Sequence, residues 1–282
     1  MTLAAESPPL ASPGKRDSPG RMKKVLVLVL SFDKEPYRSI ELDGQRKTWV
    51  TMAHPDAHVM FYYGVTRGLA FWLVAAASKL LHKLHQPNLR SKFLRGTAAH
   101  YKLHALETAD RITIQIPDFY GNVGAKTIGA MRHVLKHYAF DYLFRTNTSS
   151  YVHLPLLRKF IQTLPETGYY GGLLGQYQNM PFVGGAGILL SRDLIEFAAY
   201  DKHWDWDLMD DLAIARSMAR AGVSPRPFTR IDVLCPEQVQ LVPAGEWRTC
   251  FHVRCKSESD RLLDISTMNC VHNAYRAAGC CS

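Results

Sequence analysis

The hexapeptide Val25–Leu30 reads VLVLVL, with Lys23 and Lys24 before it and Ser31-Phe32-Asp33-Lys34 behind it. Side chains alternate between faces along an extended chain, so this segment is apolar on both. A strand of that kind needs cover on both sides, which a parallel sheet flanked by helices supplies. Two lysines ahead of an apolar run imitate a secretion signal. The run is too short for one, and no small-residue cleavage site follows it. No stretch reaches the roughly 18 apolar residues that a membrane-spanning helix needs. The chain is therefore expected in the cytoplasm, either free or peripheral on the inner face of a membrane. Hydrophobic residues make up 47% of the 282, which is enough to bury a core and excludes disorder as the main state.

The same pattern continues along the chain. Residues 1–21 are rich in Pro, Ser, Ala and Gly and are expected to form a disordered leader. Helical periodicity runs from Glu35 to Met52, and HVMFYY over His58–Tyr63 predicts a second strand closed by Gly64. Further strands are predicted at Arg111–Ile116, Tyr142–Arg145 and Gly171–Gln176, and Val183–Leu190 reads as a Gly-rich turn into a strand. Helices are predicted at Ala125–His137, at Pro155–Leu164 with Pro at its favoured start, and at Arg192–Tyr200 with Ser191 as N-cap. Another covers Asp210–Ala221 and is ended by Gly222. The tail from Ile231 is expected to hold short strands and a final segment rich in His, Arg and Lys. Strand, helix and strand in alternation predict an α/β protein.

Residues 65–104 stand apart. Leu69–Ala77 is apolar nearly all round, and the helix then becomes amphipathic, with Leu73, Ala77, Leu80 and Leu84 on one face and Lys79, His82 and Lys83 opposite. Arg90, Lys92, Arg95 and Lys102 follow. A basic amphipathic helix containing Trp72 fits an anionic membrane surface, and equally fits a helix packed against its own domain.

Charge and cysteine usage narrow the partners. Lys plus Arg is 34 and Asp plus Glu is 25, a net charge of +9 that favours an anionic partner. No nucleic-acid motif accompanies it, so nucleic acid is not expected as the partner. Cys235, Cys250, Cys255, Cys270, Cys280 and Cys281 all fall in the last fifth of the chain, with no C-x-x-C and no zinc spacing. Reduced thiols are expected. A G-x-S-x-G elbow, a Walker A loop, H-E-x-x-H and G-x-G-x-x-G are all absent, which weakens serine-hydrolase, P-loop, zincin and dinucleotide readings.

Four segments carry the functional signal through their order. The first is Leu28–Trp49, with Ser31 after the strand and Arg46-Lys47-Thr48-Trp49 near its end. The second is Asp118-Phe119-Tyr120-Gly121-Asn122, followed by Lys126-Thr127. The third is Tyr142–Val152 with Arg145, and the fourth is Gly184–Leu194 followed by Asp210-Asp211. In this order they resemble the β-1,3-galactosyltransferase and Fringe-like glycosyltransferases of the GT-A fold. The resemblance covers about residues 23–225, less the stretch at 65–104. It implies a GT-A-like nucleotide-sugar-binding fold with a mixed, mostly parallel central sheet flanked by helices. A single domain over residues 22–282, with the basic stretch as an insertion, would then carry it.

The resemblance also implies roles. Asp211 would be the general base of an inverting transfer, with Asp210 the second acidic candidate. A carboxylate at a helix start is also stabilised by the helix dipole alone. Ser31, Arg145, Asn147, Thr148 and Ser149 would line the donor, a nucleotide sugar with UDP-sugar favoured. Gly184, Gly185 and Trp206 would lie on the side of a glycan or lipid-linked acceptor. Gly184, Gly185 and Gly187 permit close approach that side chains would block, or simply a tight turn. Lys126 with Asn122 would orient a donor-side loop or cap the helix that follows. One departure stands out. Where the family has its metal-binding D-x-D motif, this chain reads Thr146-Asn147-Thr148-Ser149, with no carboxylate for a hard cation. Either Mn²⁺ or Mg²⁺ is held elsewhere, with His252 the only candidate ligand, or cationic groups replace it. A further alternative is a catalytically inactive protein of the same fold that binds nucleotide sugar or glycan. His252, Arg254 and Lys256 at i, i+2 and i+4 would share one face of a strand and offer a diphosphate clamp. A solvated basic edge strand would show the same pattern.

Overall fold

The computed structural model describes residues 21–66 and 68–280. Apart from Arg21, the leader expected over 1–21 lies outside the described residues, as does Cys281. In chain order the elements begin with β1 (Val25–Leu30), a single turn α1 (Tyr37–Ser39), β2 (Ala57–Val65), α2 (Leu69–Lys83) and α3 (Pro87–His100). Then come β3 (Ala105–Thr108), β4 (Arg111–Pro117), α4 (Val123–His137), β5 (Tyr142–Asn147), β6 (Ser150–Val152) and α5 (Leu154–Gln162). The second half holds β7 (Tyr170–Tyr177), β8 (Met180–Ser191), α6 (Arg192–Ala199), α7 (Asp210–Arg220), β9 (Arg226–Pro227), β10 (Ile231–Val233), α8 (Pro236–Val239), β11 (His252–Cys255) and α9 (Leu263–Ala277).

Eight strands form one mixed sheet in the order β3-β4-β2-β1-β5-β8-β7-β9. β4, β2, β1 and β5 run parallel, β8 is antiparallel to β5, and β3 is antiparallel to β4. A second sheet, β10-β11-β6, sits beside it. The VLVLVL strand is central, as its two apolar faces require. Val25, Val27 and Val29 face a core with Ile40, Trp49, Leu157 and α9 residues. Leu26 and Leu28 face the opposite core, with Ile112, Ile128 and Ile214. The mixed α/β sheet flanked by helices is the expected architecture.

Three local expectations are corrected. The periodic stretch Glu35–Met52 is not one helix: after α1 it opens into a wide π turn at Ile40–Gln45 and a 3₁₀ turn at Trp49–Met52. Glu41 is drawn inside to accept hydrogen bonds from Ser31 Oγ at 2.6 Å and Arg46 Nε at 3.0 Å, and another from the Tyr63 hydroxyl. Gly44 meanwhile lets α9 approach, with Met268 Sδ 3.1 Å from where a Cβ would stand. Ser191 occupies the N-cap position of α6 but makes no capping bond. Its Oγ accepts from the Tyr169 amide instead. The basic tail ends in a regular helix, α9, whose Met268, Val271 and Tyr275 are buried.

Two glycines test the packing in opposite directions. A Cβ on Gly187, in β8 opposite Thr146, would stand 2.3 Å from His252 Cε1 and 3.0 Å from Phe144 Cζ. Gly96, exposed in α3, has nothing within 4 Å of that position. Gly187→Ala is expected to lower stability by about 1–3 kcal/mol in urea unfolding. Gly96→Ala is expected to raise it by about 0.5–1 kcal/mol.

Candidate functional site

Parallel strands end together, so the loops after β1, β4 and β5 converge on one edge of the sheet. That edge, where neighbouring strands lead away in opposite directions, is where open α/β sheets place ligands. Here it holds a cavity of ≈ 710 Å³ lined by segments from across the chain. Leu30, Ser31 and Phe32 follow β1, Asp118–Tyr120 follow β4, and Asn147–Ser149 close β5. Gly184–Ala186 of β8, Met209–Asp211 at the start of α7, and Arg254 and Lys256 at β11 complete it.

A buried ion pair forms the floor. Arg145 projects from β5, and its Nη2 lies 2.5 Å from Asp210 Oδ2, with both side chains at most 3% exposed. The rest of each group is satisfied by a directional chain. Arg145 Nε donates to the Tyr62 hydroxyl at 3.3 Å, and that hydroxyl lies 2.9 Å from Thr127 Oγ1. Thr127 Oγ1 donates to Asp210 Oδ2 at 2.7 Å, and Arg145 Nη1 donates to the Gly185 carbonyl. Burial opposes the Arg145 charge and is the largest single influence, but Asp210, Tyr62 and Asp211 together overcome it and hold the guanidinium more firmly protonated than usual. Burial also raises the Tyr62 phenol to about 12, against the pull of Arg145. Asp210 thus meets both Arg145 and Thr127 through Oδ2.

Asp211, one residue on, is half-buried and faces the cavity. Its Oδ2 accepts from the Gly185 amide at 3.0 Å and its Oδ1 from the Leu212 amide at 2.9 Å. Burial raises its pKa, and the neighbouring Asp210 adds to this. Arg145 and the two amides pull the other way. Glycine at 185 allows this close approach, since a Cβ there would lie 3.1 Å from both Arg145 Nη1 and Asp211 Oδ2 and would press on both side chains. Gly184 lines the cavity too, but the nearest atom to its Cβ position is 3.8 Å away, so close packing does not require glycine there.

The opposite wall is cationic. Arg254 and Lys256 line the cavity as a pair, joined by Arg230 and Arg261. Arg230 is paired with Asp232 at 2.6 Å, and Arg261 with Asp264 at 2.8 Å. Arg261 Nη2 also donates to Ser149 Oγ at 3.0 Å. Arg254 and Lys256 have no ion-pair partner among the described residues. Arg254 Nε is buried with no hydrogen-bond acceptor. Burial disfavours the Arg254 charge, as do Arg230 and Arg261, while Asp232 partly offsets them. A wall of this kind is left with surplus positive charge and an unused donor, which an anion with several oxygens would satisfy.

His252 does not join this wall. It is buried beneath the cavity, 5.2 Å edge-to-face from Phe144, with Nε2 3.2 Å from Ser150 Oγ. Burial, with Arg230 and Arg254 nearby, holds its pKa well below the ordinary value, so it stays neutral. Of the expected trio His252, Arg254 and Lys256, only Arg254 and Lys256 line the cavity, beside Arg230 and Arg261; His252 is displaced inward by burial. Trp206, expected beside the acceptor, packs half-buried against the core of the helical layer and does not line the cavity. Ser31 lines it, with its hydroxyl proton committed to Glu41. Lys126 does not cap α4 but pairs with Asp118 at 2.5 Å, while Asn122 Nδ2 donates to the Pro117 carbonyl at 2.7 Å.

The donor set does not fit a Mn²⁺ or Mg²⁺ ion. Where D-x-D would stand, Thr146 Oγ1 donates to the Ala186 carbonyl at 2.5 Å and Asn147 Oδ1 accepts from the Ser149 amide at 3.1 Å. Among the described residues no three His, Cys, Asp or Glu gather as a metal site. The nearby carboxylate of Asp210 is consumed by Arg145 and Thr127.

No known family model matches this chain, and no curated protein matches it. Among solved structures it is similar to a galactosyltransferase, LgtC, in complex with donor and acceptor sugar analogs. That likeness has a TM-score of 0.44 and 10% identity, over 90% of this chain and 95% of the other. It is also similar to the apo-form glycosyltransferase GlyE of Streptococcus pneumoniae TIGR4, with a TM-score of 0.37 and 10% identity. There it covers 92% of this chain and spans 64% of GlyE.

The ion pair makes a stability prediction. Arg145→Met leaves Asp210 buried without its counter-charge and should cost about 3–5 kcal/mol in urea unfolding. Replacing both partners, Arg145→Met with Asp210→Leu, should recover a substantial part of that loss, because no buried charge is then left alone.

Proposed function

We propose that this chain is a glycosyltransferase of GT-A type that moves a sugar from a nucleotide-sugar donor to a hydroxyl of a glycan or lipid-linked acceptor. The observation that carries the reading is one cavity with an ionised-carboxylate candidate, Asp211, on one wall and a surplus of cations on the other. The ordered sequence segments support it. The donor diphosphate would lie against Arg254, Lys256, Arg230 and Arg261, with UDP-sugar the favoured donor. Asp211 would take the proton of the acceptor hydroxyl. The acceptor oxygen then bonds to the anomeric carbon as the bond from that carbon to the diphosphate oxygen breaks, with inversion. The extra negative charge on the departing diphosphate is met by the cationic wall, which does the work of a metal. No step in this scheme passes through a divalent ion.

Asn147, Thr148 and Ser149 line the same cavity and offer neutral hydrogen-bonding groups to the donor. Phe32 and Tyr37, edge-to-face at 6.0 Å, offer an aromatic wall for the nucleobase.

Calorimetric titration with UDP, GDP and CMP, each with Mn²⁺ and with EDTA, tests the clamp. One nucleotide, UDP, should bind equally in EDTA. Arg254→Ala should weaken it about 10- to 100-fold, the worth of lost charge-assisted hydrogen bonds. Binding that requires Mn²⁺ would overturn the metal-free clamp. Absence of binding under both conditions would overturn the transferase reading.

Asp211→Asn should lower turnover by about 10²–10⁴-fold while leaving UDP affinity intact. A protein that only binds nucleotide sugar would show no turnover to lose. Because the folded chain raises the Asp211 pKa, activity should fall with decreasing pH through a midpoint above the ordinary carboxylate value of 3.8. The stability sign is opposite. Folded Asp211 holds its proton more tightly than unfolded, so its ionised form costs stability once the pH passes the unfolded value. At pH 7 the Asp211→Asn variant should therefore unfold at equal or higher urea concentration than the parent.

A further inference from the structure

In the helical hairpin α2–α3, α3 buries Leu94, but α2 exposes a row of large apolar side chains. Ala75 and Ser78 form the buried side of α2, at 7% and 2% exposure. The solvent side carries Leu69, Leu73 and Leu80, at 75%, 62% and 57%, with Trp72 beside them at 64% and Leu84 just past the helix end at 56%. At 100° per residue Leu69, Leu73 and Leu80 fall within a narrow arc. Leu69, Trp72, Leu73 and Leu80 therefore lie on the solvent side, while Ala75 and Ser78 are buried and Val74 and Leu81 half-buried. Contiguous exposed apolar surface of this kind marks an interaction site.

The charge around that surface says what it meets. Between Asp56 and Glu107 the sequence contains no acidic residue. Over the hairpin and its exit, Lys79, Lys83, Lys92, Arg95 and Lys102 are all exposed. An apolar ridge holding a Trp, flanked by unopposed lysines, matches the boundary between acyl chains and anionic headgroups. We infer that the exposed face of the α2–α3 hairpin docks on an anionic lipid bilayer, with Leu69, Leu73 and Leu80 entering the interface and the flanking lysines on the headgroup phosphates. No helix among the described residues is long and apolar enough to cross a membrane, so the contact is peripheral.

The hairpin is also fastened to the cleft. Arg90 of α3 pairs with Asp207 at 2.9 Å, in the segment that leads into Asp210 and Asp211. Between the hairpin and that segment lies a second cavity of ≈ 510 Å³, which shares Phe119, Tyr120 and Met209 with the first. A docked hairpin thus brings the bilayer surface beside the entrance to Asp211. Resting on the transferase reading, this deepens it: the acceptor is a lipid-linked glycan presented at that surface.

Vesicle flotation of the full chain without nucleotide tests the docking separately from the transferase chemistry. The chain should float with vesicles of equal parts phosphatidylcholine and phosphatidylglycerol, and hardly at all with phosphatidylcholine alone. Lys79→Glu with Lys83→Glu should lower the partition coefficient at least about 30-fold, taking about fivefold per lysine lost at the surface. Leu73→Ser with Leu80→Ser alters only exposed side chains. It should abolish flotation while leaving UDP affinity in the calorimeter unchanged, which shows that the fold is intact. Flotation that survives the leucine substitutions would overturn insertion of the apolar ridge, and no flotation at all would overturn the bilayer as partner. A parent dimer in sedimentation velocity that becomes monomeric in the leucine variant would overturn it too, by assigning the face to a second copy.

Discussion

Arg145 sits on a central strand, two residues from the end of β5, at 2% exposure. A guanidinium cannot give up its proton there, so the fold must bring a carboxylate to it. Asp210 is that carboxylate, and meeting it fixes where α7 begins. The same guanidinium holds the Gly185 carbonyl and so fixes β8 against β5 at the cavity rim. Once Arg145, Asp210 and Gly185 are set, Asp211 has one place to go. It follows Asp210 into the first turn of α7 and is held there by the Gly185 amide. The most exposed chemistry of the site is thus positioned by its most buried charge.

The two adjacent aspartates divide their work by environment. Asp210 gives its Oδ2 to both Arg145 and Thr127 and supplies structure. Asp211 accepts only from backbone amides, keeps its face to the cavity, and has a pKa pushed upward by burial and by Asp210. Across from them the wall is overcharged in the other direction. Asp232 and Asp264 pair with Arg230 and Arg261, while among the described residues Arg254 and Lys256 have no ion-pair partner. Both walls hold charge that packing alone does not want, the familiar conflict between stability and function at a binding site. Asn147–Ser149 bring only hydroxyls and an amide to the rim, so the cations gathered from β11 and from the loops around Arg230 and Arg261 face no carboxylate from that segment.

The hairpin at 69–100 obeys a different rule from the rest of the chain. The valines and leucines of β1 each face one of the two cores. In α2 Leu69, Trp72, Leu73 and Leu80 are exposed, and the acid-free sequence around them leaves a positive field. Helical periodicity shows that such a helix has an apolar face. It does not show which way that face turns.

Much of this protein is legible in sequence. Alternation of two apolar residue types along VLVLVL already demands a central strand covered on both sides, because side-chain direction in a strand is a local property of the backbone. The strands at Arg111, Tyr142 and Val183, and the helix begun by Asp210-Asp211 and ended by Gly222, are equally local. Asp211, Arg254 and Lys256 could be singled out because carboxylate and cation chemistry is written in residue type. Other features were settled only in three dimensions. His252 shares the strand spacing of Arg254 and Lys256, but depth beneath Phe144 makes it a neutral core residue. Arg230 lies 24 residues before Arg254 in sequence and reaches the same wall only through packing of the tail. The helical stretch after Glu35 is broken because Glu41 finds Ser31, Tyr63 and Arg46, contacts that no periodicity reports. Residue type and backbone period are determined one segment at a time. Burial, charge pairing and the facing of a helix depend on which distant segments pack together, and that is what the tertiary structure decided.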